Sequence, residues 1–377
     1  MLPVSFSTHY ITLDNKMTTH TGIATTAKGK VDVIQVPTTH PGAGEVRIKT
    51  EYSSTMPYDV YVVDIGFSVQ SYPTVLGLCP AGTIVEVGEG VSELKVGDRV
   101  TAVAISGPAS KGLQEFSVLP ATLCARIPDE MSFAAASSIP DNYITAFFTI
   151  FDQLKLPFPE SFPATTSPPQ ASVPILVFGG GSLAGQYMIQ VLHISGYKNI
   201  ITTASEKHHA YLRSLGVAHA FDYRSPTLAA DITKAVGGDG KVKIAIDPIA
   251  AKSTLGVIGE VIDPKGTVAA LLPIKEGSSI AISSAADIHF NIPTEWNLLP
   301  KDVKFIPVGT ALGYLNNAFL RDNAMSKILP DLLQRGLIKP SSVLLMDQGS
   351  LKERAEKGLD LLRNNKVSGE KIVVKMT

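Results

Sequence analysis

A glycine-rich turn between a predicted strand and a predicted helix is the feature of this sequence that most directly indicates chemistry. Residues 175–178 (ILVF) are an apolar run typical of a buried strand, and residues 185–195 have the apolar spacing of a helix. Backbone N–H groups and the partial positive charge at a helix N-terminus bind a pyrophosphate where small residues permit close approach. The turn therefore predicts a dinucleotide site. Its predicted contacts are Gly179, Gly181, Ser182, Leu183 and Ala184.

The glycine pattern of this turn is incomplete, because Ser182 stands where a third glycine would be usual. A glycine cluster alone is a weak signal, since glycine loops are common between elements. The strand–turn–helix context favours dinucleotide binding over an ordinary loop.

The end of the next predicted strand indicates which dinucleotide binds. An NAD enzyme usually has a carboxylate at this strand tip, but here the tip is Ser205, followed by Lys207 and His208. Tyr223 follows the third strand. A hydroxyl, an ammonium and a phenol suit a 2′-phosphate through charge-assisted hydrogen bonds, so we predict NADPH and include all four residues among its contacts. In the alternative interpretation Lys207 is solvated and Glu206 binds the ribose.

The elements around this turn indicate an α/β protein with two domains. Apolar strands alternate with amphipathic helices from residue 175 to about 287, which predicts a doubly wound parallel (Rossmann) sheet buried on both faces. Residues 17–130 carry short β-branched runs broken by turn signals and predict a partly open barrel. Residues 132–153 have helical spacing, and residues 154–174 read as a proline-rich insertion.

Composition excludes several classes of function. The chain has 377 residues, 45% of them hydrophobic, and a formal net charge of −1. This balance argues against nucleic acid or an anionic membrane as partner, and no apolar run approaches the ~18 residues of a membrane span. The two cysteines, Cys79 and Cys124, suit a reducing compartment. Residues 1–16 lack the features of a signal or transit peptide and read as an extra N-terminal arm, so we expect a cytoplasmic enzyme.

Four motifs identify a resemblance along the chain from about Thr21. They are PGAGEV (41–46), VGDRV (96–100), the glycine turn with Gln190, and VSGEK (367–371). Together they resemble the medium-chain dehydrogenase/reductase superfamily, in its zinc-independent branch of quinone oxidoreductases and enoyl reductases. The glycine turn, Ser205 and FDYR (221–224) are similar to fungal trans-acting enoyl reductases. The resemblance implies a GroES-like β-barrel catalytic domain (1–153), the Rossmann domain (175–287) and a return segment (288–377) that completes both.

The residues at the family's zinc positions predict that no metal is bound. Zinc members place a Cys, a Gly-His-Glu and a further Cys or Asp around the ion, whereas Met56 and Leu78 stand at the first two ligand positions here. Cys79 takes the place of the glutamate. Since a catalytic zinc needs at least three protein ligands, zinc alcohol dehydrogenase chemistry is not expected.

The family segment beside the nicotinamide aligns with Tyr58, Asp59 and Tyr61, which we predict as cofactor contacts. In the polyketide enoyl reductases a lysine occupies the position of Tyr61. A phenol could replace the ammonium as hydrogen-bond or proton donor, so Tyr61 is the first catalytic candidate and Tyr58 the second; packing alone is the alternative for both. Phe67 stands near the tyrosine of mitochondrial-type enoyl reductases.

The resemblance also implies further cofactor contacts. Thr145 matches the family threonine near the nicotinamide, and Asp247 ends a strand where either a ligand contact or a helix cap is expected. The remaining predicted contacts are Leu271, Leu272, Val367 and Ser368.

These observations predict a zinc-independent reductase that transfers hydride from NADPH to a conjugated C=C bond. The substrate would be a small-molecule or acyl-carrier-bound α,β-unsaturated compound, and the protein a monomer or homodimer. The alternatives are a quinone oxidoreductase of the same fold and a non-catalytic NADPH-binding protein.

Overall fold

A computed structural model describes residues 18–377 of the chain. The predicted N-terminal arm, residues 1–16, lies outside the described residues. Within residues 18–377 the strands are β1 (Thr19–Ala27), β2 (Lys30–Pro37), β3 (Glu45–Ser54), β4 (Thr74–Val75), β5 (Cys79–Val87), β6 (Arg99–Ala102), β7 (Phe116–Pro120), β8 (Cys124–Arg126), β9 (Ile175–Phe178), β10 (Ile200–Thr203), β11 (His219–Phe221), β12 (Val242–Asp247), β13 (Ile262–Leu271), β14 (Lys304–Val308), β15 (Ser342–Met346) and β16 (Glu370–Lys375).

The helices of the same range follow the predicted alternation in the second half of the chain. The α-helices are α1 (Pro57–Ile65), α2 (Phe133–Ala136), α3 (Pro140–Phe147), α4 (Leu183–Ile194), α5 (His209–Ser214), α6 (Leu228–Val236), α7 (Lys252–Val261), α8 (Thr310–Gly313), α9 (Ala318–Asn323), α10 (Leu329–Gln334) and α11 (Leu351–Arg363). Two π-helical turns, Phe148–Gln153 and Ala324–Ile328, continue α3 and precede α10. The 3₁₀ turns are Pro108–Ser110, Ala121–Leu123, Glu206–His208, Ala285–Asp287, Thr294–Trp296 and Tyr314–Asn316.

The β-rich half of the chain forms the predicted partly open barrel. Its larger sheet has the order β15-β16-β3-β5-β6-β8, with β7 also paired to β3. A smaller sheet, β2-β1-β4, joins it where the Ile23 N–H donates to the Leu113 carbonyl oxygen at 2.7 Å. β15 and β16 come from the end of the chain, so the C-terminal segment completes this sheet.

The second half of the chain forms the predicted doubly wound sheet, with parallel strands in the order β11-β10-β9-β12-β13-β14. Alternate residues of β9 enter different apolar clusters because successive side chains of a strand point to opposite faces. Ile175 and Val177 pack in a cluster with residues of α4 and α5, whereas Leu176 and Phe178 pack in one with residues of α6 and α7. Helices therefore cover both faces, which confirms the Rossmann prediction.

The segment that joins the two halves differs from its predicted form. Residues 132–153 are not one helix, because Pro140 lacks a backbone N–H and begins a new helix, α3, after a break. The proline-rich insertion is partly buried, since Phe162 is 8% exposed and its ring lies 5.8 Å from that of Phe147. β14 follows residue 287 and still joins the parallel sheet. Among the described helices, none is both long and apolar enough to cross a membrane.

Candidate active site

The glycine-rich turn joins β9 to α4 as predicted. Gly179 has a φ of 92°, in the left-handed region that favours glycine, and its N–H donates to Thr203 Oγ1 on β10 at 2.9 Å. The N–H groups of Leu183 and Ala184 lie in the first turn of α4, where a helix offers them no carbonyl acceptor. The turn therefore presents amide donors at the positive end of a helix, an arrangement that binds phosphate.

Ser182 and Gly185 determine the geometry of this turn, in which the usual third glycine is missing. Ser182 is the N-cap of α4: its Oγ accepts from the Gly185 N–H at 3.1 Å and donates to the Gly179 carbonyl oxygen at 2.8 Å. A Cβ added to Gly185 would lie 2.5 Å from that same carbonyl oxygen. Ser182 therefore fixes the start of the helix, while Gly185 allows the helix to pack against the turn.

The residues predicted to bind the 2′-phosphate lie at the ends of neighbouring parallel strands. Thr203 on β10 pairs with Phe221 on β11, so Ser205 and Tyr223 follow adjacent strand ends. Lys207 and Tyr223 are exposed, and Ser205 is half-buried. A hydroxyl, an ammonium and a phenol thus occupy one edge of the sheet.

A carboxylate also lies at this edge, which the sequence interpretation left out. Asp222 forms an ion pair with Arg224 at 2.5 Å, and Arg224 holds the pKa of this carboxyl well below its ordinary value. The guanidinium of Arg224 also lies 5.4 Å from the centre of the Tyr223 ring. Arg224 neutralises Asp222, and the exposed side chains of Glu206 and Lys207 carry opposite charges at the same edge.

His208 connects the glycine turn to the return segment. Its Nε2 lies 3.1 Å from Ser368 Oγ, and its ring would contact a Cβ added to either Gly181 or Gly369, at 3.2 and 3.0 Å. His209 instead contacts the Ala204 carbonyl oxygen at 2.9 Å, so the adjacent histidines point to different segments. Segments far apart in sequence therefore meet over Gly181.

Thr145 lies on the helix between the two halves of the molecule. It is the only residue of α3 that is not buried, and α3 packs against α4, which carries the glycine turn. Thr145 is therefore the residue of α3 that solvent reaches most, and its contact with the cofactor stays a prediction.

The predicted catalytic tyrosines lie together on α1. The ring of Phe67 packs edge-on against Tyr58 and Tyr61, with centroid distances of 6.0 and 6.5 Å. Tyr61 is 4% exposed, and burial raises the pKa of its hydroxyl to about 12. Phe290, from the segment that follows β13, stacks on Phe67 at 6.3 Å and is 47% exposed. An aromatic cluster thus connects α1 to the parallel-sheet domain.

Asp59, a predicted cofactor contact, has a buried carboxylate that accepts from two backbone N–H groups. Its Oδ2 accepts from the Met56 N–H at 3.0 Å and its Oδ1 from the Gly77 N–H at 2.9 Å. The side chain is 1% exposed, and burial raises its pKa. Because both oxygens accept from backbone amides, the Asp59 side chain fixes the start of α1.

The positions that hold zinc in other superfamily members contain weak ligands here. Leu78 is 8% exposed and Cys79 is fully buried, and burial raises the pKa of the Cys79 thiol well above its ordinary value. Met56 is half-buried at the start of α1. Within residues 18–377, no group of at least three His, Cys, Asp or Glu side chains has an arrangement that could hold a metal ion.

The carboxyl ends of β12 and β13 supply the remaining predicted residues. Leu271 and Leu272 are half-buried at the end of β13, and Val367 packs against the apolar cluster under α1. Asp247 Oδ1 accepts from the N–H groups of Ile249 and Ala250, both at 3.0 Å. Asp247 thus fixes the loop before α7, whose N-cap is Ala251, and burial raises the pKa of its carboxyl to about 6.

Comparisons with known proteins agree with this architecture. Residues 42–129 match the family model "Alcohol dehydrogenase GroES-like domain", and residues 184–287 match "Zinc-binding dehydrogenase". The chain is 30% identical to the dehydrogenase pigH of Monascus ruber, over 82% of this chain and 87% of that protein. It is 28% identical to the trans-enoyl reductase himH of Aspergillus japonicus, over 88% and 90%. The chain belongs to the medium-chain dehydrogenase/reductase superfamily, in its enoyl reductase branch.

A solved structure of this superfamily shares the fold. The CurK enoyl reductase superposes with a TM-score of 0.71 at 20% identity, over 95% of this chain and 99% of that one.

Sequence interpretation of this medium-chain reductase missed Phe290 and the ion pair of Lys371 with Asp141. Lys371 lies in the quoted VSGEK motif, so its position was noted without a role, whereas nothing local marks Phe290.

Proposed function

We propose that this oxidoreductase uses NADPH to reduce a conjugated C=C bond without a metal. The observation that carries the proposal is that the amide donors of the glycine turn and the side chains of Ser205, Lys207 and Tyr223 share one edge of the parallel sheet. The acceptor would be an enoyl thioester, an enal or an enone, and the protein would act in the cytoplasm.

The residues present fit a nicotinamide dinucleotide. The amides of Leu183 and Ala184 would hold the pyrophosphate, over Gly181, where an added Cβ would already meet the ring of His208. Lys207 and Ser205 would bind the 2′-phosphate, because Arg224 neutralises the carboxylate of Asp222. The cofactor, when bound, supplies a hydride.

The lack of a metal follows from the donor set at the family's zinc positions. A thioether at Met56, an apolar side chain at Leu78 and a fully buried thiol at Cys79 do not supply three anionic or imidazole ligands. A conjugated acceptor needs no Lewis acid, because it delocalises the incoming charge onto its carbonyl oxygen.

The chain's own contribution is to orient the acceptor and manage one proton. Tyr61 is the first candidate donor, because it stands in the segment that the resemblance places beside the nicotinamide, and its hydroxyl, whose pKa burial raises to about 12, is protonated in the neutral range. Tyr58 is the second candidate, since its pKa is also raised by burial and it contacts the same Phe67 ring. The aromatic rings of Phe67 and Phe290 would cover one side of the acceptor.

The test is a cofactor and acceptor panel on the purified full-length protein. Consumption of NADPH and NADH is followed at 340 nm with 2-enoyl thioesters, 2-enals, enones and quinones. We expect a preference for NADPH and for the α,β-unsaturated carbonyl compounds. Turnover of quinones alone would identify the protein as a quinone oxidoreductase, and NADPH binding without turnover of any acceptor would identify a non-catalytic binding protein.

A further inference from the structure

Lys275 is a buried cation that the proposed chemistry has not yet used. The residue is 8% exposed, and its Nζ donates to the Ser279 carbonyl oxygen at 2.8 Å. No Asp or Glu side chain within residues 18–377 forms an ion pair with this ammonium. Burial alone lowers its pKa to about 8. A buried charge without a counterion costs stability, and a ligand of opposite charge would offset that cost.

The backbone around Lys275 places it at the ligand-binding edge of the parallel sheet. It lies just beyond the end of β13, where its N–H donates to the Ala250 carbonyl oxygen at 2.9 Å and its own carbonyl oxygen accepts from the Lys252 N–H at 3.0 Å. Ala250 and Lys252 follow β12. Ligands of doubly wound sheets bind outside the carboxyl ends of the strands, which is where these segments meet.

The order of the strands decides which part of a ligand this edge faces. The glycine turn follows β9, and Ser205 follows β10 on one side of it. β12 and β13 lie on the other side of β9. Since a dinucleotide lies across the sheet with its pyrophosphate on the turn, β10 faces the adenosine half and the end of β13 faces the reacting half. The backbone at Lys275, just beyond β13, therefore lies on the side of the sheet that faces the reacting half of the dinucleotide.

The loop that contains Lys275 also reaches the barrel domain. Asn365 Nδ2 donates to Ser279 Oγ at 3.1 Å, and the Ile280 N–H donates to Asn365 Oδ1 at 3.3 Å. The Lys275 ammonium donates to the carbonyl oxygen of Ser279, the residue before Ile280. Ile280 packs against the same apolar cluster as Tyr58, the second catalytic candidate.

We propose that the ammonium of Lys275 binds the carbonyl oxygen of the α,β-unsaturated acceptor and stabilises the negative charge that forms there. The inference rests on the proposed function and deepens it. When a hydride adds to the β-carbon, the π electron pair moves onto the carbonyl oxygen as an enolate. Lys275 donates a hydrogen bond to that oxygen, the α-carbon takes a proton from the Tyr61 hydroxyl, and water restores that proton.

The experiment uses a stable anion in place of the enolate. Butyrate binding to the full-length protein in the presence of NADP⁺ is measured by calorimetry for the wild type, Lys275→Met and Lys275→Arg. We expect at least a tenfold loss of butyrate affinity in Lys275→Met, partial retention in Lys275→Arg, and weaker binding to the wild type as the pH rises through about 8. Hydride transfer to a 2-enoyl thioester should fall about 100-fold in Lys275→Met, as for loss of an oxyanion donor.

Lys252→Met is the matched control. Lys252 shares the backbone bridge with Lys275, but its ammonium is exposed and lies 3.9 Å from Glu276. His289 is the other titratable residue beside Lys275, because its backbone pairs with that of Ile274, and its ring packs on Trp296. Lys252→Met should bind butyrate as the wild type does.

The outcomes separate this inference from the proposed function. Equal butyrate affinity in the wild type and Lys275→Met, or no butyrate binding to the wild type, overturns the role of Lys275 even if the enzyme reduces enoyl thioesters. Butyrate binding that depends on Lys275 in a protein that reduces no acceptor supports the anion site and rejects the reductase. Thermal melting of Lys275→Met shows whether the variant is folded.

Discussion

Lys371 and Asp141 form an ion pair in the interior between the barrel and α3. Lys371 Nζ contacts Asp141 Oδ2, and the two side chains are 3% and 6% exposed. Burial opposes the charge of Lys371, but the Asp141 carboxylate outweighs it, so the pKa of the lysine lies above its ordinary value. Lys371 is the second residue of β16, the strand that follows Ser368, and Asp141 lies one helical turn before Thr145. The pair therefore ties together two segments predicted to contact the cofactor.

Removing one member of this ion pair should lower the free energy of unfolding more than removing both members together. Lys371→Met leaves a buried carboxylate without its counterion, and Asp141→Asn leaves a buried ammonium, so each single variant should lose about 3–5 kcal/mol of unfolding free energy. The double variant should lose much less than the sum, because neither charge remains. Urea unfolding of the four proteins measures this. Additive losses would show that the two groups do not stabilise each other.

Local signals predicted the elements and the cofactor turn. The apolar run before Gly179 and the helical spacing after Gly185 are properties of neighbouring residues, so β9, the turn and α4 could be located from the sequence. Pro140 is also a local signal, because it begins α3. The helical spacing on both sides of Pro140 nevertheless predicted a single helix.

Contacts between distant segments could not be predicted in this way. His208 meets Ser368 and Phe67 meets Phe290 across long stretches of chain, and no local pattern encodes these pairs. Asp59 was assigned to the cofactor by resemblance, whereas the hydrogen bond from the Gly77 N–H to its carboxylate could not be seen in the sequence. A lysine looks exposed in a sequence, so the burial of Lys275 emerged only from the packing of its loop.

Lys207→Met should weaken NADPH binding at least tenfold and leave NADH binding almost unchanged. The reason is that its exposed ammonium would contact only the 2′-phosphate, which NADH lacks. Fluorescence titration with each cofactor measures the two dissociation constants. Lys234→Met, at an exposed lysine on α6, is the control for a general loss of positive charge. An equal effect on both cofactors would place Lys207 away from the 2′-phosphate.

Tyr61→Phe should lower turnover at least tenfold while the dissociation constant for NADPH stays the same. The substitution removes one hydroxyl and keeps the ring that packs on Phe67. Single-turnover oxidation of NADPH by the best acceptor of the panel gives the rate. Tyr211→Phe, at a tyrosine 37% exposed on α5, tests for a nonspecific effect of losing a phenol. Unchanged turnover in Tyr61→Phe would remove Tyr61 from the mechanism and make Tyr58→Phe the next variant.

The stability of the protein should depend on pH through Lys275. Its pKa is lowered in the folded state from 10.5 to about 8, so between these values the unfolded chain binds more protons than the folded one. The free energy of unfolding therefore gains a contribution as the pH rises through this window, of the order of 3 kcal/mol at most. Buried tyrosines such as Tyr61 act in the opposite direction in alkali, because their pKa values are raised.

Urea unfolding of the wild type and Lys275→Met from pH 7.5 to 10 measures this effect. The difference between their free energies of unfolding isolates the contribution of the lysine. Lys275→Met should be the more stable protein at pH 7.5 and lose this advantage as the pH rises, whereas a constant difference would mean that the ammonium is solvated in the folded state.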